Sequence, residues 1–186
     1  MSRRRKVVLA THLKNMLADK ALVSPRKDGS TVLREKNVME LEVADIPSDI
    51  TIINMRRIGS LSGVKEGEWK QVCDYLFLFE EEGEDYAVFV ELKKTLNEEN
   101  EKGMEQLRRS LPFLEYLRSV CEIHHSGEST KLRIIVRYSL VGNQISERLD
   151  KQHVKADYAL PSKNHKGISV DMLFGERIRF RSLIDE

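Results

Sequence analysis

Residues 71–93 read QVCDYLFLFEEEGEDYAVFVELK, and this stretch decides the fold. Gln71 to Phe79 forms a strand with little polar content. Glu80 to Asp85 holds Gly83 among acids, the pattern of a tight turn. Tyr86 to Leu92 is the return strand. Both strands are apolar at odd and even positions alike. An exposed hairpin would alternate, so these are central strands, and we expect helices to cover both faces.

Three charges interrupt this apolar hairpin: Asp74 in the first strand, Glu91 and Lys93 at the end of the second. Burying a carboxylate costs several kcal/mol unless it is paired or bound to a metal. The turn sets how the three meet. If the turn is Gly83-Glu84, Asp74 lies opposite Lys93, with Glu91 a diagonal neighbour about 7–8 Å away. If it is Glu82-Gly83, Asp74 faces Glu91 directly, at about 5 Å. Either register puts all three side chains on one face, because strands alternate with period two. A three-residue loop without a bulge would send Asp74 to the other face.

Working outward, Val7 to Leu22 carries apolar residues at helical spacing (Val8, Leu9, Leu13, Met16, Leu17, Ala21). Thr31 to Asp49 reads equally as a short helix or an irregular strand. Thr51 to Ile58 is β-rich, and Gly59 to Gly67 is a loop. Asn97 to Val120 places Met104, Leu107, Leu111, Leu114 and Leu117 on one helical stripe, with Pro112 expected to kink or split it. Lys131 to Leu140 is a strand. A strand, helix and strand in that order predict a right-handed crossover, with this strand parallel to Tyr86–Leu92. Ser146 to Val154 reads as a helix, and Ile168–Phe174 and Arg177–Phe180 as short strands. The expected fold is α/β, a mixed central sheet flanked by helices. One domain accounts for residues 1–186, with a core over about 7–140 and a C-terminal extension over about 141–186.

Bulk properties set the remaining bounds. Of 186 residues, 40% are hydrophobic and 33% charged, enough apolar content for a real core. The formal net charge of +1 gives no strong whole-molecule field, so affinity for nucleic acid must come from charge placement. Basic residues cluster at Arg3-Arg4-Arg5-Lys6, at Arg56-Arg57, and at Arg177, Arg179 and Arg181. The plainer reading of each cluster is solvated surface. Cys73 and Cys121 lie in apolar segments with no CxxC pair, as buried reduced thiols do. No apolar run reaches the roughly 20 residues that span a bilayer. Val7-Val8-Leu9-Ala10 is too short for a signal-peptide core. We therefore expect a cytoplasmic protein with no membrane partner.

Two carboxylates converging beside a lysine suit a hard divalent cation. Mg²⁺ takes oxygen ligands and needs only one or two protein carboxylates plus waters or substrate phosphate. Lys93 could orient or activate a water, or offset charge on the phosphorane. The backbone carbonyl of Leu92 is a natural third ligand.

Asp74, followed after a hairpin-length gap by Glu91-Leu92-Lys93, resembles the motif of the PD-(D/E)xK nuclease superfamily, the restriction-endonuclease-like fold. The helix, three strands, helix, strand order (αβββαβ) over roughly Val7 to Leu140 is similar to that family's core. The resemblance implies Asp74 and Glu91 as metal ligands with Mg²⁺ or Mn²⁺, Lys93 as the catalytic lysine, and Gln106 on the following helix as an aid to nucleophile or phosphate. It also implies a metal-dependent nuclease, with DNA the first substrate and RNA the alternative, acting as a homodimer. Cys73 stands where the family often has proline. A further acid often comes from the first helix; here the candidates are Asp19, Glu35, Glu40 and Glu42. The competing readings are a structural ion cluster, or a catalytically inactive module of the same fold that binds nucleic acid or protein. Arg108 and Arg109 could touch phosphates, and Cys121 with His124 and His125 lacks the second ligand pair that a zinc site needs.

Overall fold

The computed structural model describes residues 9–58, 71–97, 100–124, 134–145 and 159–184. The hairpin is built as its sequence suggests. Strand β5 (Tyr75–Glu81) runs antiparallel to β6 (Glu84–Leu96). The two-residue turn is Glu82-Gly83, with φ of 51° and 83°. Two successive left-handed residues match the twist of the flanking strands, and glycine takes the second position without steric cost. Glu81 then pairs with Glu84 and Tyr75 with Val90. Continued by one residue, this register sets Asp74 opposite Glu91, the second of the two alternatives.

Five further strands extend the sheet. They are β1 (Leu22–Val23), β4 (Thr51–Asn54), β7 (Ile134–Ile145), β8 (Ala159–His165) and β9 (Ile168–Phe174). The order is β1-β4-β5-β6-β7-β9-β8. β6 with β7 and β7 with β9 are parallel, and the other pairs are antiparallel. The expected parallel pairing across the crossover is therefore present, and the fold is mixed α/β with a large mixed sheet.

Helices α1 (Leu9–Met16) and α2 (Glu101–His124) pack on one face of this sheet. Leu13, Met104, Leu107, Leu114 and Leu117 meet Leu76, Leu78, Ala87 and Phe89 there. α2 continues unbroken through Pro112, which sits on its exposed face.

The other face departs from expectation. Among the described residues it is covered by a second sheet, not by helices. β2 (Thr31–Glu35), β3 (Met39–Ala44) and β10 (Arg177–Arg179) form this sheet in the order β10-β3-β2. Leu33, Met39, Leu41 and Val43 point inward onto Tyr75, Phe77, Val88, Val90 and Leu92, while Arg34 and Glu40 point out. The ambiguous segment 31–49 is thus a β-hairpin whose alternation becomes decisive only with a surface to bury against. The described part of the expected extension, residues 141–145 and 159–184, completes both sheets through the end of β7 and through β8, β9 and β10. Phe180 follows β10 and packs its ring against Phe79 at 5.0 Å and Phe77 at 6.1 Å between centroids. The helix expected over 146–154 lies outside the described residues. No helix among the described residues is long and apolar enough to cross a membrane.

Candidate functional site

Asp74 precedes β5 and is 2% exposed; Glu91 lies within β6 and is 0% exposed. Asp74 Oδ2 accepts the Leu92 backbone N–H at 2.8 Å. Asp74 Oδ1 ion-pairs with Arg56 Nε at 2.5 Å, in a geometry that makes no hydrogen bond. One Glu91 oxygen, Oε1, takes the Lys93 ammonium, and Oε2 is buried with no hydrogen-bond partner. Burial, reinforced by the Asp74 charge, pushes the Glu91 carboxyl up to about 8 against the pull of Lys93. Burial also raises Asp74, while the Leu92 N–H and then the Arg56 guanidinium draw it back.

The lysine is positioned by α2. Lys93 Nζ donates to Gln106 Oε1 at 3.3 Å, and Gln106 Nε2 donates to the Val72 carbonyl at 3.4 Å. One turn on, Ser110 Oγ accepts the Cys73 N–H and donates to the Gln106 carbonyl, both at 2.8 Å. One turn back stands Gly103. A Cβ there would lie 2.8 Å from Lys93 Cε and 2.9 Å from Leu140 Cδ1, so any larger residue would displace the Lys93 or Leu140 side chain from its present place. Gly103, Gln106 and Ser110 thus fasten both Lys93 and the segment that carries Asp74. All four expected side chains (Asp74, Glu91, Lys93, Gln106) are brought together, and Leu92 joins through its amide. Lys94 is exposed on the opposite face, as alternation requires. Cys73 is fully buried, and burial pushes its thiol well up, so it is an inert packing group.

Two more residues join them: Arg56, which the sequence left in a basic pair, and Glu35, one of the four candidate acids it left open. Arg56 lies in the 3-10 turn Met55–Arg57 after β4, held beside Asp74 because the Met55 N–H donates to the Asp74 carbonyl at 2.9 Å. Arg56 bridges Asp74 to Glu35, its Nη2 being 2.6 Å from Glu35 Oε1. Burial pulls the guanidinium down, but the charges of Asp74, Glu35 and Glu91 together hold it above its ordinary value. Glu35, at the end of β2, is the acid that reaches the cluster. Asp19 is exposed, Glu40 pairs with Arg34 at 2.9 Å, and Glu42 pairs with Arg177 at 3.1 Å. Tyr75 secures this end of β2. Its hydroxyl donates to the Arg34 carbonyl at 2.9 Å, and it accepts the Arg34 N–H at 2.8 Å and Asn54 Nδ2 at 3.3 Å. The only sequence signal for Arg56 was its place in the basic pair Arg56-Arg57; Glu35 was one of four candidate acids, and nothing local chose it over Asp19, Glu40 and Glu42.

The cluster opens into a cleft of about 670 Å³, with Arg56, Lys93, Lys102 and Arg109 among its walls. Arg108 does not line it and is bound to Glu105, which also takes Arg109, His165 and Lys166. Arg177, Arg179 and Arg181 pair with Glu42, Asp45 and Glu81 away from the cleft. Cys121 is buried with its sulfur 3.6 Å from that of Met16. The basic run 3–6, the loop 59–67, His125 and His153 lie outside the described residues.

The oxygens suit a hard cation. Asp74 Oδ1, Glu91 Oε2 and Glu35 Oε2 are all buried without a hydrogen-bond partner, and Mg²⁺ takes such ligands. Among the described residues, no three His, Cys, Asp or Glu side chains are grouped closely enough to hold an ion alone. The fit is therefore to the facing pair Asp74 and Glu91, with water or substrate completing the shell. Fold and site together define a mixed α/β protein with two buried carboxylates, Asp74 and Glu91, beside a charged cleft of mixed sign. No family model matches the chain, and no match is found among curated proteins or solved structures.

Proposed function

We propose that this chain is a metal-dependent nuclease of the PD-(D/E)xK type, with a restriction-endonuclease-like core, that hydrolyses phosphodiester bonds in DNA, RNA being the alternative substrate. The observation that carries the reading is Asp74 facing Glu91, with Lys93 beside them at a cleft that Arg56, Lys93, Lys102 and Arg109 line together with Glu35 and Glu105. Asp74 and Glu91 would hold Mg²⁺ or Mn²⁺. The Leu92 carbonyl would help, because N–H and C=O of one strand residue face the same edge and its N–H already meets Asp74. When bound, the ion supplies Lewis-acid polarisation of a phosphoryl oxygen and acidifies water. Lys93 holds its ammonium where it can orient the attacking water or offset charge growing on the phosphorane. Gln106 fixes that ammonium through its Oε1. Lys102 and Arg109 stand where they can engage the flanking phosphates of the strand. The resemblance further implies a homodimer, and the cysteine usage read from the sequence a cytoplasmic location.

A second reading is a binding module without cleavage. It draws on the two ion pairs, since Arg56 and Lys93 already neutralise Asp74 and Glu91. Incubation with plasmid and linear DNA, single strands and RNA, with Mg²⁺ or Mn²⁺, separates the two. We expect nicking or degradation that EDTA stops and that Lys93→Ala abolishes while circular dichroism stays native. Binding without cleavage under every metal supports the module. Cleavage that survives both EDTA and Lys93→Ala sinks the mechanism.

A further inference from the structure

We propose that Arg56 is the resident cation of this site, a guanidinium that holds Asp74 and Glu35 together and gives way when a divalent ion takes Asp74. The inference rests on the metal-dependent reading above. Asp74 has two oxygens, and Oδ2 is committed to the Leu92 N–H. The oxygen with no hydrogen bond, and so the freer ligand for an ion, is Oδ1, and Arg56 Nε stands 2.5 Å from it. Two cations cannot share that oxygen at contact distance without strong repulsion in a partly buried site.

The partners differ in freedom. Asp74 and Glu91 sit in strand-bound backbone at 2% and 0% exposure. The Arg56 side chain is 45% exposed and borders the cleft, so it can swing outward without unpacking the core. The guanidinium offers a planar fork of N–H donors, a match for phosphate oxygens. A displaced Arg56 therefore moves from one anion to another, from Asp74 to a substrate phosphate in the cleft. Without metal, the same guanidinium compensates buried Asp74 and half-buried Glu35, whose charges would otherwise repel each other.

The test is Mn²⁺ binding at pH 8, read by electron paramagnetic resonance of the free ion and by calorimetry. The full chain is compared with Arg56→Gln and Arg56→Lys, with circular dichroism to check folding. Arg56→Gln should bind Mn²⁺ about tenfold more tightly or better, because a like charge beside the ligand is gone. Arg56→Lys should fall between the two. The Tm of Arg56→Gln should be lower than wild type in EDTA and should rise more on adding Mn²⁺. If Arg56→Gln does not fold without metal, the wild-type to Arg56→Lys comparison carries the result. Binding of Mn²⁺ with unchanged or weaker affinity in the variants overturns the role of Arg56 alone. Failure of folded wild type and variants alike to bind Mn²⁺ overturns the metal-dependent reading itself.

Discussion

At the residue scale, Glu91 shows what a buried functional carboxylate costs. Its ordinary pKa is 4.5, and burial with the nearby Asp74 charge lifts it to about 8 in the folded protein. The folded state therefore holds this proton more tightly than the unfolded chain. The resulting stability is fully present below about pH 4.5 and is lost as pH rises toward 8. Glu91→Gln keeps the shape and removes the titration. In EDTA, urea unfolding from pH 5 to 8.5 should show wild type losing stability more steeply than Glu91→Gln; parallel curves would contradict this account. Glu91 and Lys93 were legible because an apolar strand makes every charge conspicuous. Arg56 and Glu35 were not, since each is an ordinary charge on its own element and acquires meaning only through the other.

At the scale of elements, the hairpin and α2 build the site between them. The hairpin sets Asp74 against Glu91 through the Glu82-Gly83 turn, and α2 locks the approach with Gly103, Gln106 and Ser110. Ser110 is fully buried and serves both the Cys73 N–H and the Gln106 carbonyl. Ser110→Ala leaves the Cys73 N–H unsatisfied at a cost of about 1–3 kcal/mol. Chemical denaturation should register that loss, and cleavage should fall further than stability because Asp74 is the next residue. A variant with wild-type stability would show that the staple is dispensable. The helical stripe from Met104 to Leu117 was readable from spacing, while Gln106 was singled out only by the family resemblance. The close approach at Gly103 was not, because it depends on where Lys93 and Leu140 stand in a different layer.

At the scale of the whole molecule, two sheets share the β5–β6 hairpin as their common core. Its helix-side face carries Asp74, Glu91 and Lys93, and its other face packs on the small sheet closed by β10. Phe180 ties the C-terminal segment to this packing through Phe77 and Phe79 and is 2% exposed. Phe180→Ala should cost about 3–5 kcal/mol, lowering the unfolding midpoint of the whole molecule in one transition, followed by near- and far-ultraviolet circular dichroism. Loss confined to a separate early phase would mean that the segment is an appendage after all. By itself the sequence determined the central hairpin and the parallel crossover to β7, and it brought Asp74, Glu91 and Lys93 together for an even-residue turn, which the structure supplies at Glu82-Gly83. Those follow from alternation, turn chemistry and helical period, all local in the chain. Only the tertiary structure decided that a second sheet covers the far face, that Arg56 spans Glu35 and Asp74, and that the C-terminal segment completes the core. These depend on pairings between residues far apart in sequence, such as Arg177 beside Glu42 and Glu35 beside Arg56, where burial and charge are set by the partner.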